Sequence, residues 1–139
     1  MHTTATRTQS PTTATTAKAA RAGQVISLLA TAFLLFDAVI HMLAIGPVVE
    51  SFAQLGFPAW QALPIGVLEL VCLALYAIPR TSALGAVLLT GYLGGAVCAH
   101  FRAESPLFST TLFPVYLGIA LWAGLYLRDA RVRALVRGA

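Results

Sequence analysis

The sequence predicts an all-α integral membrane protein: a four-helix bundle with a short interfacial helix between the first and second spans. Three observations lead there. Apolar residues make up 58% of the 139 and charged residues only 10%, against about 25% charged in an ordinary soluble domain, so a water-facing surface could hardly be covered. Four apolar runs each approach the roughly 20 residues of helix that a bilayer core requires. None alternates over about ten residues as a membrane β-barrel strand does, and helices satisfy their own backbone groups, as hydrocarbon demands.

Residues 1–22 are rich in Thr and Ala, carry Arg7, Lys18 and Arg21, and show no apolar periodicity. They are expected to form a disordered tail. The apolar run that follows, from Val25 to Ile45, is too long for the core of a signal peptide and reads as a retained first span. Next comes GPVVESFAQLGFPAW. Pro47 suits a helix start, Val48, Val49, Phe52 and Leu55 form one apolar stripe, and Gly56 and Pro58 end it, which describes a helix lying in the interface. Trp60 belongs in the headgroup belt.

Span two runs from about Ala62 to Ile78, with Pro64 in its first turn, where its missing N–H costs nothing, and Pro79 just past its end. Span three covers about Ala83 to His100, and span four about Leu112 to Leu127, with Pro114 again in a first turn. Residues 23–129 thus form one transmembrane domain, and 130–139 a basic tail.

Orientation follows from the arginines. Arg21 precedes span one, Arg80 sits in the tight turn between spans two and three, and Arg128, Arg131, Arg133 and Arg137 follow span four; only Arg102 lies on the other side. Basic residues stay in the cytoplasm, so both termini and the Arg80 turn are expected there, with Arg21, Arg80 and Arg128 as anchors. The basic tail reads as a lipid-headgroup anchor and not as a nucleic-acid site.

Within the spans lie Asp37, His41, Glu69 and His100. A carboxylate in hydrocarbon costs about 2.5–3.5 kcal/mol on insertion scales, so each needs a partner, a proton or a function. At 1.5 Å per residue, Asp37 and Glu69 lie near mid-membrane on the outer side. His41 is one turn further out on the face of Asp37, and His100 ends span three. Tyr116 enters the same outer half from span four. Together they suggest one outward-opening pocket, the alternative being polar glue between helices.

Their ligand types would suit zinc or non-haem iron, but no E-x-x-H spacing supports it, and no metal is assigned. Carboxyl and imidazole groups withdrawn from water are what a proton-coupled quinone site exploits. In span three, Gly91 and Gly95 form a G-x-x-x-G pair expected to serve close helix packing, within the bundle or in a homodimer. Cys72 and Cys98 form no C-x-x-C pair and read as small buried hydrophobes.

The segments SFAQLGFP, IGVLELVCLALYAIPRTSALGAVLLTGYLGGAVCAHFR and PLFSTTLFPVYLGIALWAGLYLRD, in that order, resemble the DoxX-like family of small bacterial four-helix membrane proteins. The resemblance covers about Gln24 to Asp129 and carries over Glu69 in GVLEL, Arg80 in IPRT and His100 in GGAVCAH. It implies the bacterial inner membrane and a role as a membrane component of a redox or quinone-linked system, with a redox-protein partner and quinone as the cofactor. The chain holds no C-x-x-C and no flavin or nucleotide motif, so an autonomous oxidoreductase is not expected. A small proton-coupled transporter and a structural or assembly subunit are the alternatives.

Overall fold

The computed structural model describes residues 11–138, with side chains from residue 17 onward. Six helices follow in order: α1 (Pro11–Leu43), α2 (Gly46–Gln54), α3 (Ala62–Ala77), α4 (Ser82–Arg102), α5 (Phe113–Arg128) and α6 (Ala130–Arg137). A 3₁₀ turn, Ala59–Gln61, leads into α3, and a single wide turn, Leu107–Thr111, leads into α5. No strand occurs among the described residues. Four stretches are long and apolar enough to cross a membrane: Ala17–Leu43, Ala59–Ala77, Ser82–Arg102 and Leu107–Arg128. The short helix expected between the first two spans is α2, with Val48 and Phe52 buried.

The segment expected to be a disordered tail is different where it is described. Residues 11–22 are helical and continuous with the first span; residues 1–10 lie outside the described residues. Alanine, lysine and arginine are strong helix formers, and joining them to a stable span removes the cost of nucleating a separate helix.

The four spans form a ring in which α1 packs on α3 and α5, and α4 closes the gap between those two. Each span buries a narrow stripe at helical spacing. On α1 it is Gly23, Ser27, Ala30, Leu34 and Ala38; on α3 it includes Ala62, Gly66, Glu69, Leu73 and Tyr76. The outer faces carry Leu28, Leu29, Phe36, Leu68, Val71 and Ile119 exposed. So large an apolar surface needs hydrocarbon around it.

Glycine sets how closely the helices approach, but at positions other than the G-x-x-x-G pair. A Cβ on Gly85 would run into the Tyr76 backbone; one on Gly124 would lie 2.5 Å from Ser27 Oγ; one on Gly23 would lie 2.6 Å from Leu127 Cβ. At Gly91 and Gly95 it would meet nothing within 4 Å. The pair therefore makes no close helix contact within the chain.

One end of the bundle collects most of the described arginines. Tyr76 donates to the Leu121 carbonyl at 2.8 Å, and Ser27 in turn donates to Tyr76 Oη at 3.1 Å. Arg128 lies 5.1 Å from the Tyr76 ring centroid and donates to the Tyr76 carbonyl at 3.3 Å. Arg131 donates to the Pro79 carbonyl, and Arg133 to those of Tyr126 and Leu127. Helix C-termini leave carbonyls without intrahelical partners, and these arginines fill the role. The basic tail itself folds as α6, started by Asp129, whose carboxylate accepts from the Arg131 N–H at 2.9 Å, and packed through the buried Val132.

Candidate functional site

The opposite end holds the polar residues. Asp37 and His41 are one turn apart on α1, and their geometry is local: His41 Nδ1 lies 2.8 Å from the Asp37 carbonyl oxygen and 3.3 Å from Asp37 Oδ2. Because a carbonyl only accepts, Nδ1 carries the proton. Glu69 joins them from α3, with Oε2 3.8 Å from His41 Nδ1. Gly66, one turn before Glu69 on the buried stripe, makes that approach possible. A Cβ there would lie 2.8 Å from the Ala38 carbonyl and 2.9 Å from His41 Cβ.

A fourth member comes from α4. Tyr92 donates to Glu69 Oε2 at 2.9 Å. The Glu69 side chain is 0% exposed, and its second oxygen, Oε1, is buried with no hydrogen-bond partner. One ligand-type atom each from Asp37, His41 and Glu69 lies within 4.8 Å of the others. Tyr92 escaped the sequence reading because tyrosine is common in membrane helices. Its one signal was a phenol set among Gly91, Gly94 and Gly95.

This cluster borders a cavity of about 730 Å³. Asp37 and His41 line it from α1, Tyr92 and His100 from α4, and Phe33, Phe52, Phe57 and Phe113 supply aromatic walls. Glu69 does not line the cavity; it sits behind His41 and Tyr92. Phe52 brings α2 over the site, its ring centroid 5.4 Å from that of His41. Arg102, at the end of α4, donates to the Leu55 carbonyl at the C-terminus of α2 and ties that cover down. A C-terminal cation also complements the helix dipole.

Of the other residues singled out in the sequence, His100 lines the same cavity but stands outside the carboxyl cluster, its Nδ1 3.2 Å from Ser105 Oγ. Tyr116 is exposed and does not line the cavity. Gly91 and Gly95 do line it: with no side chains, they leave the space open. Cys72 is buried at the cavity wall, Cys98 is exposed, and both are free. A second cavity, about 620 Å³ between α4 and α5, is almost wholly apolar and holds none of these residues.

No curated protein and no solved structure matches the chain. The family model for the DoxX-like family matches residues 25–124, well over half of the chain, and covers spans two and three whole and all but the basic-end turns of spans one and four. This multi-pass helical membrane protein belongs to the DoxX-like family.

Proposed function

We propose that the protein is a membrane component of a redox or quinone-linked system, and that its cavity receives a quinone head group. The supporting observation is the two-sided lining of that cavity: phenylalanines on its apolar walls, with Asp37, His41, Tyr92 and His100 at its polar edge. Such sites orient a mostly apolar ligand with a few convergent polar groups. A flat ring fits between the phenylalanines, with its oxygens toward His41 and Tyr92. The carboxyl groups of Asp37 and Glu69 exchange the two protons that accompany two-electron reduction of a quinone. The electrons come from a redox-protein partner, since the chain carries no C-x-x-C or flavin motif of its own.

In this reading the basic end, with Arg80 and Arg128, faces the cytoplasm of a bacterial inner membrane, and the cavity lies toward the outer face. None of the four spans is broken at mid-membrane among the described residues, which is why the quinone reading is preferred to a transporter built on discontinuous helices. The test is extraction of bound quinone from protein purified in mild detergent, followed by quinone reduction with the copurifying partner. Glu69→Gln and Asp37→Asn should each slow reduction about tenfold or more, in the range typical of lost proton-transfer groups. Purified protein without quinone, together with variants as active as the parent, would overturn the reading.

A further inference from the structure

Beyond the quinone reading, and exclusive of proton exchange by the same carboxyl groups while the ion is bound, we infer that Asp37, His41 and Glu69 form a binding site for one divalent transition-metal ion of the zinc class. Three observations carry this. The first is geometry: three ligand-type atoms on two helices lie within 4.8 Å of one another, and small side-chain rotations would draw them to the shorter separations that metal–ligand bonds of about 2.0–2.2 Å require. The second is the orphaned Oε1 of Glu69. It is buried without a partner on the carboxyl group that faces His41. Buried polar atoms in native proteins almost always have partners, and each exception needs an explanation.

The third observation is charge. Two carboxylates share a single imidazole, and no lysine or arginine is paired with either of them among the described residues. Glu69 is the fully buried member, and buried charges are paired or coordinate a metal; Asp37 keeps 32% of its side chain exposed toward the cavity. A divalent cation balances two carboxylates where a neutral imidazole does not.

The surroundings resemble a built site. Tyr92 holds Glu69 Oε2 from α4, the kind of outer hydrogen bond that fixes a ligating carboxylate. Gly66 lets α3 come close enough for Glu69 to reach α1. A cation binding at His41 Nδ1 displaces the proton now shared with the Asp37 carbonyl, and affinity for the ion then falls in acid. Imidazole and carboxylate ligands together suit zinc, iron or manganese better than magnesium or calcium. Three protein ligands leave a fourth position free, as in zinc sites that bind water or substrate. Asp37 and His41 already line the cavity, so that position is reached from it.

The experiment is titration of the full chain, purified in detergent and stripped with a chelator, with Zn²⁺ and in parallel with Mn²⁺. The expected result is saturable binding of one ion per chain. X-ray absorption of the zinc form should show nitrogen and oxygen ligands at about 2.0–2.2 Å. Glu69→Gln and Asp37→Asn should each weaken binding more than about tenfold, and Tyr92→Phe by about tenfold. Glu50→Gln, an exposed acid on α2, should leave binding unchanged. Monodisperse elution and an unchanged helical signal show that each variant is folded. Absence of saturable binding by the folded parent, or parent-like affinity in both carboxyl variants, would overturn the inference. Quinone extraction plays no part in this measurement, so the two readings can fail separately.

Discussion

At the basic end of the bundle, Gly23, Gly85 and Gly124 bring backbones into contact, Tyr76 bonds across two helices, and arginines fill the free carbonyls. At the other end, Gly91 and Gly95 face open space, Glu69 carries an oxygen with no partner, and α2 lies across a cavity of about 730 Å³. The same residue types therefore do opposite work. Glycine closes one end, whereas at the other Gly91 and Gly95 open the cavity and only Gly66 closes the α1–α3 approach; a tyrosine hydroxyl stabilises packing at Tyr76 and orients a carboxyl group at Tyr92. One end supplies the rigidity that allows the other to keep a polar, incompletely packed site.

The sharpest way to break this contrast is to add one methyl group at each end. Gly85→Ala should destabilise the protein by about 3 kcal/mol or more, because the added atom meets backbone that has no room to move. Gly95→Ala should be neutral or gain roughly 0.5–1 kcal/mol from reduced chain entropy. Thermal unfolding in detergent, followed by scanning fluorimetry, measures both. A similar loss at both positions would show that the cavity end is as tightly packed as the other.

Next in size is the contrast between Tyr76 and Glu69. Tyr76→Phe leaves the Leu121 carbonyl and Ser27 without their partner and should cost about 1–3 kcal/mol. Glu69→Gln should instead leave stability within about 1 kcal/mol of the parent or raise it, since removing a buried carboxyl group also removes its desolvation cost. The same unfolding curves decide the matter: a large loss at Glu69→Gln would mark that residue as structural glue.

A smaller effect is expected at the cover. Arg102→Ala removes the bond to the Leu55 carbonyl and should weaken docking of α2 by about 0.5–1.5 kcal/mol. It should appear as faster amide exchange across α2, with exchange in α3 unchanged. Equal protection in parent and variant would show that Phe52 and Val48 alone hold α2 in place.

The smallest concerns α6, outside the spans. Hydrogen bonds from Arg131 hold the Asp129 carboxyl below the usual aspartate range. A lowered value in the folded protein means the stabilisation is present above that usual range. It is lost progressively as pH falls below it. Asp129→Ala should loosen α6 by about 1 kcal/mol at neutral pH, the ordinary worth of a helix cap, with little effect on the bundle. Amide exchange in α6 at pH 7 reads this, and Asp129→Asn, which keeps the capping oxygen, should restore most of the protection.

Much of the fold was legible in the sequence because bilayer thickness sets span length, and prolines and arginines mark the ends. α2 was legible for a related reason. Lying at an interface, it must carry an apolar stripe, and the buried Val48 and Phe52 belong to it. The Asp37–His41 pairing also followed from sequence, since residues four apart on a helix are neighbours. The extent of α1 did not: the Ala-rich stretch from 11 to 22 looked too polar to fold alone, and it folds as a continuation of the span.

What sequence by itself determined is therefore the number of the spans, their all-helical character and the local pairing on α1. Only the tertiary structure decided which faces meet. In a soluble helix the apolar face is the buried face, so periodicity reveals it; a helix apolar all round gives no such signal. For that reason Glu69 could be placed along its span, yet its meeting with His41 and Tyr92 could not be read. For the same reason Tyr116 was expected in a pocket it does not line, and Gly91 and Gly95, expected to pack helices within the bundle or in a homodimer, make no close contact within the chain and border the cavity.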